Sequence, residues 1–96
     1  MIVRLRVEDP EGISSYWIER DWGGVPRIGD KVDYHFDTTP GIVREVVWMN
    51  DGTAVVDLEP GEMKLRDDGT PIGDNASYVK ALRDWGWQRG PEGSGL

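Results

Sequence analysis

The chain has 96 residues, of which 38% are apolar and 30% are charged, and its net charge is −7. This length gives one domain, and the composition is that of a globular protein with a small core rather than of a disordered chain. An acidic surface repels phosphate groups, which disfavours direct nucleic-acid binding and leaves a basic protein partner possible. The lack of cysteine excludes disulfide scaffolds and thiolate metal sites, and it favours a cytoplasmic protein.

The first twenty residues predict a β-hairpin. Val3, Leu5 and Val7 alternate with charged residues, which is typical of a strand with one buried face. Residues 9–12 form a Pro/Gly turn, and residues 13–20 form the second strand. The charges near the N-terminus do not suit a signal peptide, and no apolar run approaches the ~20 residues that span a bilayer. We therefore expect no membrane association.

Three more strands and one helix are predicted in the rest of the chain. The strands cover residues 31–37, 42–49 and 53–59, and Asn-Asp-Gly at residues 50–52 is a strong signal for a hairpin between the last two. Residues 60–75 form a loop, with a short extra strand at 63–66. The helix covers about 76–86, with Asn75 as its cap and Gly86 at its end. Its apolar stripe has four members: Tyr78, Val79, Leu82 and Trp85.

Residues 25–59 carry a resemblance to a known class of small domains. The segment 26–32 reads Pro-Arg-Ile-Gly-Asp-Lys-Val, and the segment 41–48 reads Gly-Ile-Val-Arg-Glu-Val-Val-Trp. This resembles SH3-like barrels, in which a Gly-Asp-x-Val turn precedes one strand and a Gly-x-Val step opens the next. The resemblance covers about a third of the chain, and it implies a binding or adaptor module.

These elements predict a mainly β, α+β protein, with five to six antiparallel strands in a partly open SH3-like barrel and one C-terminal helix. We expect a single domain over residues 1–88 and a flexible tail over residues 89–96, which are rich in glycine and proline.

One cluster has the composition of a metal site. Asp33, His35 and Asp37 alternate along a predicted strand, so all three would project from one face. An imidazole and two carboxylates can hold zinc, manganese or iron, or can form a base with its orienting acid. The other interpretation is that Tyr34 and Phe36 face the core and the alternate residues form the solvated face. A single histidine, without a second histidine or a cysteine, provides few strong ligands for such a site, and we expect no cofactor.

Five tryptophans in 96 residues are the second unusual feature. Tryptophan fills cores, but it also anchors protein interfaces. Trp22 lies beside two glycines, and Trp87 follows the predicted end of the helix, so both are expected to be exposed. The predicted binding residues are Trp22, Trp48 and Trp87.

Three functional hypotheses follow. The first is a non-catalytic protein-binding or adaptor module, which contacts a protein partner or a second copy through exposed tryptophans or a sheet edge. The second is a small metal-dependent enzyme or metal sensor that uses Asp33, His35 and Asp37. The third is an acidic inhibitor or nucleic-acid mimic. Motifs for nucleotide binding or nucleophilic catalysis are absent from the sequence, which favours the first.

Overall fold

The computed structural model describes residues 1–90 and contains one curled β-sheet and one helix. The elements in chain order are β1 (Ile2–Glu8), β2 (Ser15–Asp21), β3 (Lys31–Val32), β4 (Gly41–Trp48), β5 (Ala54–Glu59), α1 (Asn75–Asp84) and β6 (Gln88–Arg89). The sheet has the strand order β3-β4-β5-β1-β2-β6 and curls into a half-barrel. The predicted mainly β fold with an open barrel and a C-terminal helix is confirmed.

The sheet is mixed, so the prediction of antiparallel strands throughout is wrong at one place. β1 and β5 lie side by side and run parallel, whereas the other neighbouring pairs are antiparallel. The parallel register pairs Val3 with Ala54, Leu5 with Val56 and Val7 with Leu58. This pairing joins the buried faces of two strands in one continuous apolar layer, whose burial stabilises the sheet.

The core lies on the concave face of the sheet. Val3, Leu5 and Val7 are buried as their alternation predicts, and so are the facing residues of β5. The helix covers this layer with Tyr78 and Leu82, both fully buried. A chain of hydrogen bonds crosses the core through Tyr34, whose hydroxyl accepts from the Gly61 N–H and pairs with the Tyr78 hydroxyl at 2.8 Å.

The predicted strand over residues 31–37 ends at Val32. The chain then buries Tyr34 and His35 together, which a strand cannot do on one face because neighbouring side chains point to opposite sides. A turn follows, in which the Asp37 N–H donates to His35 Nδ1 at 3.0 Å. The predicted extra strand at 63–66 is reduced to isolated bridges at Met63 and Leu65.

The helix begins one residue earlier than predicted, because Asp74 is its cap. The Asp74 carboxylate accepts from the Ser77 N–H, and the Ser77 hydroxyl accepts from the Asp74 N–H, both at 2.9 Å. This reciprocal capping box satisfies two backbone donors at the helix start. Gly86 follows the helix with φ +95°, as predicted for a residue that ends a helix in the left-handed region.

The boundary predicted at residue 88 falls inside β6. Arg89 pairs with Tyr16 of β2, and the Gly90 N–H donates to the Ser15 carbonyl. Arg89, the first residue of the predicted tail, therefore belongs to the sheet, and Gly90 is hydrogen-bonded to it. Residues 91–96, the rest of that tail, lie outside the described residues.

Candidate functional site

β4 has a free backbone edge over its last residues. The Met49 N–H donates to the Thr53 carbonyl at 2.8 Å, so the backbone groups of Met49 point toward β5. Successive residues of a strand point their backbone groups to opposite sides. The N–H and C=O groups of Val46 and Trp48 therefore point away from β5, toward the outside of the sheet.

Nothing in the described part of the chain pairs with those groups. β3 pairs with β4 only at Gly41 and Ile42. Val43 is also occupied, since it donates to the Asp30 carbonyl and accepts from the Gly29 N–H. A register shift between Val43 and Glu45 then changes which residues face outward. Among residues 1–90, the stretch of β4 after this shift has no strand on its outer side.

An apolar groove runs beside this open stretch. Its volume is about 450 Å³, and it is lined by Val25, Pro26, Arg27, Ile28, Val46 and Trp48. We call these residues the edge groove. Trp48 is 60% exposed and Ile28 is 69% exposed, so two large apolar side chains stand in solvent next to unpaired backbone groups. A concave apolar surface centred on tryptophan is typical of a protein-binding site.

Trp22 lies in a second hollow that shares Val25 and Pro26 with the edge groove. This hollow has a volume of about 610 Å³, and its wall also includes Lys31 and Asp33. Trp22 is half-buried and packs against the core. The predicted binding residues Trp22 and Trp48 are therefore brought to neighbouring hollows on one side of the protein.

Trp87 does not belong to this surface. It is 4% exposed and packs in the core, with its ring edge-to-face against Tyr34 at 6.1 Å between ring centroids. The prediction that Trp87 is exposed is wrong, because β6 returns to the sheet immediately after the helix and carries this side chain inward. The exposed neighbour is Trp85, at 47%, although its helical spacing predicted burial.

Asp33, His35 and Asp37 do not project from one face, because the strand that would align them ends at Val32. His35 is 1% exposed. Its Nδ1 accepts from the Asp37 N–H at 3.0 Å, so Nε2 carries the proton and donates to the Tyr78 carbonyl at 3.2 Å. Both ring nitrogens are occupied in this arrangement. Within residues 1–90, no group of three or more His, Cys, Asp or Glu side chains is arranged to hold a metal ion.

His35 instead belongs to an aromatic cluster that is exposed only at Phe36 and Trp85, and the sequence did not predict it. The imidazole stacks on Tyr78 at 4.6 Å and on Phe36 at 5.5 Å, and Phe36 contacts Trp85 at 5.1 Å. Phe36 was predicted to face the core but is 52% exposed. The turn after Val32 rotates it to the surface, and stacking rather than burial holds it there.

Acidic side chains line a third hollow, between the β1–β2 turn and the start of the helix. Its volume is about 680 Å³. The carboxylates around it belong to Glu8, Asp9, Glu11, Glu59, Glu62 and Asp74. Arg44 also lines it and pairs with Glu8 and Asp57. Asp9 is buried and accepts from the Ile13 and Ser14 N–H groups, both at 3.0 Å, so it serves to hold the turn.

Comparison of the chain with protein-family models, curated proteins and solved structures returns no match. The resemblance to SH3-like barrels therefore stays a prediction. In the described part of the chain, the helix is too short and too polar to cross a bilayer.

Proposed function

We propose that the protein is a non-catalytic protein-binding module that receives an extended segment of a partner protein as an additional strand beside β4. The observation that carries this proposal is the open edge at Val46 and Trp48 next to the edge groove. In this binding mode the backbone groups of the edge supply hydrogen bonds, while side-chain pockets next to the strand select the sequence.

The edge groove suits the apolar side chains of such a segment. Trp48 offers a large, rigid ring, and Pro26 and Ile28 form the opposite wall. Trp and other large side chains in the centre of an interface carry most of its binding energy. Lys31 and Asp33 in the neighbouring hollow would contact polar residues farther along the bound segment.

The charge and the composition of the chain bear on the class of partner and on the cellular compartment. A protein partner, rather than nucleic acid, fits a chain of net charge −7, because phosphate backbones are repelled by it. We propose a cytoplasmic setting on the basis of the cysteine-free sequence, since small domains outside the reducing compartments often depend on disulfides.

The proposal is tested with linear peptides selected from a random display library against the wild-type chain. Replacing Trp48 with alanine should weaken the selected peptides by roughly 30-fold or more, which is the effect of a hot-spot tryptophan. Trp85→Ala is the matched control, because Trp85 is similarly exposed but lies on the helix side, and it should change binding by less than about twofold. Peptides that bind both variants like the wild type would contradict the proposal.

Backbone pairing is tested separately with N-methylated versions of the selected peptides. Methylation removes one N–H donor at a time, and strand addition predicts that every second position is sensitive. Equal sensitivity at consecutive positions would indicate another binding mode.

A second candidate is the acidic inhibitor or mimic, which is favoured by the six carboxylates around the third hollow. Its ligand would be a basic surface, and its affinity would fall steeply as salt screens the charges. Binding through the edge groove depends chiefly on apolar contact and should change little with salt, so a salt titration of any binding partner separates the two functions.

A further inference from the structure

Resting on the proposed function of the β4 edge, we propose that a second copy of this chain occupies the same edge, by two-fold antiparallel pairing of the two β4 strands in which Val46 lies opposite Trp48 of the second copy. The dimer would then regulate the binding site, because a partner segment and a second copy need the same backbone groups.

The register follows from the direction of the backbone groups. Val46 and Trp48 each point one N–H and one C=O outward, whereas Val47 points its groups toward β5, since Met49 does so two residues later. A two-fold axis through Val47 places each outward-facing residue opposite an outward-facing residue. All four open groups of each edge are then used, in four backbone hydrogen bonds between the copies.

Neighbouring registers satisfy fewer groups or place like charges together. An axis at Val46 would set Trp48 opposite Arg44, which lies in the register shift, where the regular alternation of outward backbone groups is interrupted. An axis at Trp48 would set Glu45 opposite Asp51, and like charges directly opposite each other destabilise a strand pair. The axis at Val47 sets Glu45 opposite Met49 and avoids both problems.

The side chains agree with this register. Trp48 and Val46 pair with Ala54 and Val56, which face the core, so these β4 side chains leave the sheet on the concave side. In the two-fold pair, each Trp48 lies beside a Val46, and aromatic with β-branched pairs are favourable across strands. Each Trp48 also gains the apolar wall of the edge groove of the other copy.

The charge of the chain predicts how this pairing responds to salt. Each copy carries −7, so two copies repel one another at low ionic strength. The Debye length falls from about 10 Å at 0.1 M salt to about 3 Å at 1 M. Salt should therefore promote the dimer, which is the opposite of its effect on an ion-paired complex with a basic partner.

The first test uses single-cysteine variants, which the cysteine-free sequence makes unambiguous. In the proposed register, the two Val47 Cα atoms lie about 4.5 Å apart as a non-hydrogen-bonded pair, within the ~4.4–6.8 Å range of a disulfide. The two Met49 Cα atoms, on the same face of the strand as Val47, lie on the order of 14 Å apart. Val47→Cys should therefore form a disulfide-linked dimer under mild oxidation, and Met49→Cys, which keeps Trp48, should not.

The expected result is that Val47→Cys cross-links at least roughly tenfold faster than Met49→Cys, because pairing raises the effective concentration of the two thiols toward the millimolar range. Circular dichroism of both reduced variants verifies that they are folded. Equal rates, or a faster rate for Met49→Cys, would overturn the register and with it the inference.

The second test measures the mass of the chain by sedimentation velocity at 0.1 and 1 M sodium chloride. Trp48→Pro removes an outward N–H without breaking a bond to β5, and prolines are tolerated at such edge positions. Trp48→Thr is its matched control, because it loses the same ring but keeps the N–H. We expect a salt-promoted dimer in the wild type, a weaker one in Trp48→Thr and none in Trp48→Pro.

A wild-type chain that stays monomeric in both salts overturns the inference, and so does a dimer that survives in Trp48→Pro. The proposed function is judged by a different measurement, the binding of display-selected peptides. A monomer that still binds those peptides through Trp48 would retain the function and reject the self-pairing. A dimer that binds no selected peptide would retain the self-pairing and reject the proposed function.

Discussion

The two ends of the sheet, at β4 and at β2, differ in the side chains that surround their free backbone groups. At one end, β4 points the backbone groups of Val46 and Trp48 outward beside the edge groove. At the other end, β6 covers the start of β2, where Arg89 pairs with Tyr16. Both ends leave a few outward groups on a strand, but the side chains at those positions have opposite character.

The outward positions of β2 beyond β6 are acidic. The Trp22 N–H donates to the Met1 carbonyl of the neighbouring chain segment, so the alternate residues Glu19 and Asp21 point their backbone groups outward. Both side chains are exposed, and Glu19 pairs with Arg4 while Asp21 binds the N-terminal ammonium group. Charged residues and short covering strands are the usual protection of a free edge. The β4 edge lacks this protection, which is why we interpret it as a binding site.

The largest expected effect comes from releasing the strand that covers β2. Trp87 anchors β6 in the core, and Trp87→Ala should lower the free energy of unfolding by about 3–5 kcal/mol, the usual cost of deleting a buried tryptophan side chain. Urea denaturation measures this loss. Trp85→Ala, at an exposed position, should cost less than about 1 kcal/mol. Similar losses in both variants would contradict the burial of Trp87 as the anchor of β6.

Alkaline pH should destabilise both ends of the sheet together, because they share one core. Burial, followed by the hydrogen bond with Tyr34, raises the pKa of the Tyr78 phenol above its ordinary value. The stability contributed by the neutral phenol is complete below the unfolded pKa of about 10 and is lost as pH rises above it, since only the unfolded chain then releases the proton. The loss for this one group approaches ~1.4 kcal/mol per pH unit.

Urea midpoints between pH 8 and pH 11 measure this dependence, with Tyr78→Phe as the control. The phenylalanine variant should lose stability with pH less steeply, by about one proton. The same slope in both proteins would contradict the assignment of the shift to Tyr78.

A smaller and more local effect is expected from the helix cap. Asp74→Ala removes the acceptor of the Ser77 N–H, and loss of such a cap costs about 1 kcal/mol. The helix leads directly into β6, so the amides of Gln88 and Gly90, which face β2, should exchange faster in this variant. The exchange rates of the β4 amides should rise only as much as the global loss of stability requires. Equal acceleration at both ends would show that the helix does not secure one edge in particular.

The smallest change in stability is expected where the acidic protection is removed. The double substitution Glu19→Val and Asp21→Val should alter the unfolding free energy by no more than about 1 kcal/mol, because exposed ion pairs contribute little. It should nevertheless create a second associating edge, visible as a mass increase in light scattering. Glu11→Val with Glu62→Val changes the charge equally away from the sheet edges, and it should not associate more than the wild type.

Local patterns predicted those elements in which neighbours along the chain decide the structure. The alternation of Val3, Leu5 and Val7 defines β1, and Asn-Asp-Gly at residues 50–52 defines the β4–β5 hairpin. Gly86 ends the helix as expected. In each case the physical cause, a period of two or a left-handed residue, lies within a few positions of sequence.

Long-range packing decided the rest. Burial of Tyr34 and His35 side by side depends on the helix that receives them, and that helix lies some 40 residues later. Trp87 is buried and Trp85 exposed because β6 returns to β2, which no local period shows. Trp48 could be identified as an interface candidate from its residue type, but Pro26 and Ile28, which form its groove, could not, since their position depends on the loop between β2 and β3.

Residue-resolved amide hydrogen exchange of the dilute chain at low salt would show whether the β4 edge is open. We expect fast exchange at Val46 and Trp48 and slow exchange at Val47 and Met49, whose N–H groups point toward β5. A bound peptide should protect Val46 and Trp48 selectively. Strong protection of these two amides in the dilute, unbound chain would mean that the edge is already covered, and the β4 surface could not be the binding site.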